Sequence, residues 1–184
     1  MPMEKLREQL AKNVTQHFEL DDQSEELLQD NHTTVEFLDL LISNQLYSDA
    51  ISLLSHSLPN REAVWWACLC AKQIADDDLF RDTLLAAEKW VYEPTEKNRR
   101  LAEFYAEKGK FGSAASWVAA AAFWSGDNIV GEQDPKIAPD QYLYAHAVSG
   151  SIMTSVCLQD DISQSDLFEK YINYGINIAN GGNG

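Results

Sequence analysis

Nine consecutive apolar residues, Ala63 to Ala71, stand directly behind a helix-start signal in the stretch Pro59 to Ala75, PNREAVWWACLCAKQIA. Pro59 ends whatever helix precedes it, Asn60 can accept a hydrogen bond from a first-turn amide, and Glu62 sets negative charge at the positive end of the helix dipole. At 3.6 residues per turn, nine residues wrap the full circumference more than twice, so the helix has no solvent face. A helix of this kind has to be covered on every side. The run is far below the roughly 20 residues that cross a bilayer, so the cover is expected from the rest of the chain or from a partner.

A second segment shares this property. Ser113 to Trp124 reads SAASWVAAAAFW, and Ala119 to Ala122 present so little side chain that neighbouring backbones can approach closely. The two runs are expected to form a paired spine clothed by other helices. Among these, Met3, Leu6, Leu10, Val14 and Phe18 predict an amphipathic first helix ending near Leu20. Thr33 and Glu36 form a capping box ahead of a helix with Val35, Leu38, Leu41 and Ile42 inside. A turn at Asn44–Tyr47 and a helix from Ser48 to Leu58 follow. After the apolar run, Asp76-Asp77-Asp78 forms a connector, with Asp78 as cap of a helix carrying Leu79, Phe80, Leu84, Ala87, Trp90 and Val91. Pro94 is expected at a first helical position, Leu101, Phe104 and Tyr105 inside the next helix, and Gly109 at its end. Asp127 to Ala138 reads as the one long irregular loop, Pro139 as the start of a helix through Cys157, and Ser163 as the cap of the last.

No segment alternates with period two for long enough to suggest a strand. The fold class is therefore all-α, built of antiparallel helical hairpins over a single domain, residues 1–179, with 180–184 as a flexible tail. Gln45–Leu53 and Gly109–Trp117 align at an offset of 64 residues, with an aromatic, an alanine and a large apolar residue in matching places. That spacing leaves two architectures open: helical-repeat-like, in the manner of tetratricopeptide repeats, or an irregular bundle.

Charge and cysteine usage narrow the function classes. The net charge is −15, distributed as 3 bases and 11 acids in residues 1–60, 9 and 10 in 61–125, and 2 and 8 in 126–184. Nucleic acid and anionic membrane are disfavoured partners of such a surface. Cys68, Cys70 and Cys157 cannot all pair, and the first two are two apart on a helix, which suits neither a redox pair nor a metal knuckle. They read as small core residues in a reducing compartment. With no signal-peptide core in MPMEKLREQL, a cytoplasmic protein is expected.

Chemistry-bearing patterns are sparse. His17, His32, His56 and His146 show no metal-ligand spacing, and the Asp127–Asp134 loop lacks the spacing of a calcium loop. There is no phosphate loop, nucleophile elbow or dinucleotide fingerprint. No catalytic residue, cofactor or metal is expected; an enzyme would have to use the Ser125–Ala138 loop and His146. Lys97, Arg99 and Arg100 form a basic cluster at a helix start, which requires an acidic neighbour from the chain itself or from a bound segment. Trp65 and Trp66 diverge by about 100° on a helix, so either two layers sandwich them or one ring meets a partner. The candidate partner contacts are Arg61, Trp65, Trp66, Arg99, Arg100 and Trp124.

The block Thr34 to Ala75, with its REAVWWA centre, together with Ala87-Glu88-Lys89-Trp90-Val91, Pro94-Thr95-Glu96 with Arg99, Ala120 to Gly126 and Ala145 to Val148, resembles an uncharacterised all-helical family of Gram-negative bacteria. The resemblance covers roughly residues 34–155. It implies occurrence near type VI secretion genes and carries no assigned activity. The expected function is a non-catalytic interaction scaffold or adaptor with a protein partner, accessory to type VI secretion on the strength of the resemblance. An immunity-type inhibitor of a basic toxin and an enzyme are the alternatives, and a homo-oligomer is left open.

Overall fold

The computed structural model describes residues 3–74, 77–131 and 134–184. Among these, ten helices and no strand are found, so the fold is all-α. Within the span expected to be one domain, two compact units can be distinguished: residues 1–59 with 159–184, and residues 60–158.

The first unit holds α1 (Ala11–Thr15), α2 (Asp22–Leu27), α3 (Thr34–Ser43), α4 (Tyr47–Ser57) and α10 (Gln164–Ala179). The capping box forms as the sequence indicates: Thr33 N donates to Glu36 Oε2 at 2.9 Å and Glu36 N to Thr33 Oγ1 at 3.2 Å. The long first helix does not form, and only Ala11–Thr15 is helical. Its expected backbone bonds go elsewhere: Lys5 N donates to Ala179 O, Arg7 N to Ser57 O and Ala11 N to His32 O, and Leu10 bridges Thr33 in β fashion. Met3, Leu6 and Val14 are nevertheless buried, so the apolar spacing marked core residues of an irregular strap. In α3 the buried residues are Thr34, Phe37, Leu38 and Leu41, whereas Val35 and Ile42, expected inside, are half-buried. Tyr47 ties α4 to α10, its hydroxyl donating to Glu169 Oε1 at 2.8 Å and its ring stacking on Phe168. After α10 the chain reverses at Gly181, where φ is +88°, and Gly184 N reaches Asn177 Oδ1 at 2.8 Å.

The second unit comprises α5 (Asn60–Ala71), α6 (Asp78–Tyr92), α7 (Glu96–Lys108), α8 (Ala114–Trp124) and α9 (Leu143–Cys157). Helix α8 packs against α5, α6, α7 and α9, and Ala114, Ala115 and Val118 to Ala122 have no exposed surface. With nothing larger than a methyl group at Ala119 to Ala122, four neighbours can pack around one axis. Helix α5 packs against α6, α8 and α9. The two apolar runs therefore do pack on one another. Neither is covered all round, however: Trp65 and Leu69 of α5, and Trp117 and Trp124 of α8, are half-buried along narrow stripes.

Helix starts are shifted by small distances, each for a local reason. Asp77 caps α6, accepting from Phe80 N at 2.8 Å, which makes Asp78 the first helical residue; Asp76 lies outside the described residues. Thr95 caps α7 by accepting from Asn98 N, so Pro94 precedes the cap. Pro139 does not open α9, because Asp140 forms a turn with Tyr142 N and Leu143 N ahead of the helix. Ser113 caps α8. On α7 the inward residues are Arg99, Ala102 and Ala106, while Phe104 is 56% exposed, opposite to the expected stripe. The two segments aligned at offset 64 also differ: the left-handed residue is Gln45 in one turn but Lys110 and Phe111 in the other.

Candidate functional site

Arg81, Leu85, Glu88 and Tyr92 recur on α6 at steps of four, three and four, which places them on one face of the helix. That face lies beside the half-buried stripe of α5. Along the pair, Arg61 Nε donates to Val91 O at 2.5 Å, the Trp65 and Tyr92 rings meet edge-on with centroids 5.8 Å apart, and Lys72 pairs with Glu88. The Lys72 ammonium also sits 5.5 Å from the Trp65 ring centre. Glu88 is buried, and its carboxylate beside Lys72 holds that ammonium charged above the usual lysine range. At the far end of this ladder, Lys72, Ile74, Phe80, Arg81, Leu84, Leu85 and Glu88 line a pocket of about 360 Å³. Leu85 is 50% and Tyr92 69% exposed. The result is an apolar strip with an aromatic pair at one end, a pocket at the other, and Arg61, Lys72 and Arg81 along its length.

Of the two adjacent tryptophans, Trp66 is fully buried and Trp65 is half-exposed on this strip. Trp66 therefore serves the core, and Trp65 lies at the surface between Tyr92 and Lys72. Arg61 is exposed at the edge of the strip. The basic cluster of α7 is employed internally. Arg99 is only 3% exposed; its guanidinium donates to both Glu96 carboxylate oxygens at 2.6 and 2.7 Å, to Phe123 O at 2.8 Å and to Asn128 O at 2.8 Å. Arg100 donates to Glu96, Glu103 and Val130 O. The acidic neighbours that the cluster required are thus Glu96 and Glu103. Arg99 and Arg100 fasten the chain after α8 to α7, and both cations lie over the Phe123 ring.

Trp124 belongs to a separate cluster. Its ring lies parallel to Phe111 at 6.2 Å and near Trp117 at 6.5 Å. Phe111 is held at φ +52°, a left-handed conformation that bulky side chains rarely adopt. The Ser125–Ala138 loop is closed by Asn128, whose side chain accepts from Val130 N and Ile137 N; Glu132 lies outside the described residues. His146 is exposed on α9. Among the described residues, no group of three or more His, Cys, Asp or Glu side chains could hold a metal ion, and no helix is long and apolar enough to cross a membrane. Burial pushes the Cys68 thiol well above its usual range, which leaves it unreactive.

Sequence reasoning named Arg61 and Trp65 but missed Lys72, Arg81, Leu85, Glu88 and Tyr92. A usable signal was present. Leu84 and Leu85 are adjacent, so one of them must leave the core, and Leu85 starts the step to Glu88 and Tyr92. Among curated proteins and among solved structures, none matches this chain. The model of a family of unknown function, DUF6931, matches residues 37–179, and the chain belongs to that family.

Proposed function

We propose that this protein is a non-catalytic interaction module, a scaffold or adaptor, that docks a protein partner on the α5/α6 face. The observation that carries the reading is the exposed apolar strip of Trp65, Leu85 and Tyr92 leading into the pocket between α5 and α6. Large exposed side chains grouped beside a preformed pocket are what a binding surface requires. The α7 arginines support it indirectly, because their internal bonding removes the other basic candidate surface. Within this reading, an accessory role in type VI secretion is what the sequence resemblance adds.

The test compares proteins retained from the native cell by the tagged wild-type chain with those retained by a Leu85→Asp, Tyr92→Ala variant that keeps the wild-type circular dichroism. A defined protein held by the wild type and lost from the variant is the expected result, and secretion components among those lost would support the accessory role. An identical set from both baits, or turnover by the purified chain in a small-molecule panel, would overturn the reading. A small basic toxin as the lost protein would favour the immunity-type alternative.

A further inference from the structure

We infer that the groove between α1 and α2 is a second docking surface, and that it takes a basic segment of a protein partner, with several Lys or Arg side chains around one large apolar residue. The groove belongs to the first unit. It goes beyond the α5/α6 reading and does not rest on it. With two separate surfaces the chain can hold two partners, as an adaptor must.

The groove is built by the chain from Lys12 to Asp30. Residues of α1 and of the segment after it line a space of about 680 Å³ together with Glu25 of α2 and the chain leaving that helix. Phe18, Leu20 and Leu28 line it half-buried, so its floor offers carbon. Three contacts fix its form. Asp21 N donates to Asp49 Oδ2 at 3.0 Å and ties that corner to α4, the Phe18 ring rests 4.8 Å from the buried His56 ring, and Lys12 Nζ reaches Asp30 Oδ1 at 2.6 Å. A groove already held open in this way costs less to occupy than one that has to be ordered.

Charge selects the occupant. The first unit holds 15 acids and 4 bases, and each base has a place. Lys12 is neutralised by Asp30. Lys5 and Arg7 belong to the strap before α1, and Lys170 lies over the Tyr174 ring on α10; none of the three lines the groove. Half-buried His17 stands beside Gln16. Against the one paired lysine stand Glu19, Glu25 and Asp30, while Asp21 and Asp22 line an adjoining depression that shares Leu20. Among the described residues, no cation pairs with Glu19, Asp22 or Glu25. Nor do these carboxylates converge, since among the described residues no group of three or more could hold a metal ion. A single ion therefore finds no cage, whereas a chain bearing several cations meets one free carboxylate after another. Nucleic acid is repelled by such a surface, and a bare polyamine would leave the Phe18, Leu20 and Leu28 floor uncovered. A basic segment with an apolar side chain suits both the rim and the floor.

The experiment selects from a displayed library of random peptides on the immobilised full-length chain and measures a synthesised winner by fluorescence anisotropy. Winners are expected to carry several Lys or Arg around a large apolar residue. Glu19→Lys with Glu25→Lys should lower the affinity at least about tenfold and Glu19→Gln with Glu25→Gln about threefold, and added salt should weaken binding further. The glutamine pair keeps the test open should the lysine pair lose the wild-type circular dichroism. Asp160→Lys with Asp161→Lys changes the charge of the unit by as much as the first pair, at exposed positions outside the groove, and should leave the affinity within about twofold, as should Leu85→Asp on α6. Acidic or uncharged winners, winners without an apolar residue, an equal loss from the Asp160 and Asp161 pair, or no winner at all would overturn the proposal. So would a wild-type dimer in light scattering that the glutamate substitutions dissolve, since the occupant would then be a second copy. None of these results touches the α5/α6 reading, which the comparison of native partners decides; a basic winner lost through Leu85→Asp and kept by the glutamate variants would support that reading and overturn this one.

Discussion

Arg99 and Gly126 have to be considered together. A Cβ added to Gly126 would lie 2.5 Å from Arg99 Cδ and Nε and 2.7 Å from Cζ. A flexible arginine could swing aside, but this one is buried and held by Glu96, Phe123 O and Asn128 O. Gly126→Ala should therefore cost about 1–3 kcal/mol in urea unfolding. Arg99→Met, which leaves two carbonyls without their charged donor, should cost about 3 kcal/mol. The coupling is the sharper expectation: on an Arg99→Ala background, which removes the Cδ, Nε and Cζ that the added Cβ would meet, Gly126→Ala should be close to neutral, and additive losses would show that the two residues do not meet. Glu96 gives a second handle at this scale. The Arg99 guanidinium holds the Glu96 carboxyl below its ordinary 4.5. A depressed folded value means that the contribution is fully present above about pH 4.5 and is lost as pH falls through the folded value. Glu96→Gln should flatten the acid limb of the stability curve in that window without removing it, because Glu36, hydrogen-bonded by Thr33, is lowered as well.

Among the elements, the difference between Trp65 and Trp66 is the most informative. They are neighbours in sequence, yet one ring is enclosed and the other rests against Tyr92 at the surface. Trp66→Ala should cost about 3–5 kcal/mol, and Trp65→Ala about 1–2 kcal/mol while weakening partner capture. Equal losses in thermal or urea unfolding would mean that α5 is covered equally on both sides. Local chemistry made some elements plain in advance. Thr33 and Glu36 satisfy each other three residues apart, and the alanines of α8 admit close neighbours whatever those neighbours are. The first segment was not legible in the same way. Met3, Leu6 and Val14 have helical spacing, but the amides of Lys5, Arg7 and Ala11 in the same segment find Ala179, Ser57 and His32, residues up to 174 positions away that no local pattern announces. For the same reason Arg99 read as a surface contact: its partners Phe123 and Asn128 come from another helix and the loop beyond it. Periodicity reports which residues avoid water, and it is silent on which charged groups find partners inside.

For the whole molecule, the charge distribution and the α5/α6 face have to be read jointly. Residues 60–158 hold 10 bases and 14 acids, whereas residues 1–59 and 159–184 together hold 4 and 15. Most of the negative charge thus lies outside the unit that bears the strip. Within that unit the candidate surfaces differ in kind. The Phe111, Trp117 and Trp124 rings lie against one another, with Phe111 38% exposed, and Phe104 stands exposed on α7 beside the Tyr105 ring. The strip joins exposed apolar groups, a pocket and cations, and the proposed docking role is assigned to it for that reason.

Site-specific photocrosslinking in the native cell tests this most directly. A benzophenone amino acid placed at Tyr92 should give one discrete adduct with a second protein on illumination, and the same group at Phe104 should give none. Adducts of equal yield from both positions, or from Phe104 alone, would contradict the assignment of the α5/α6 face.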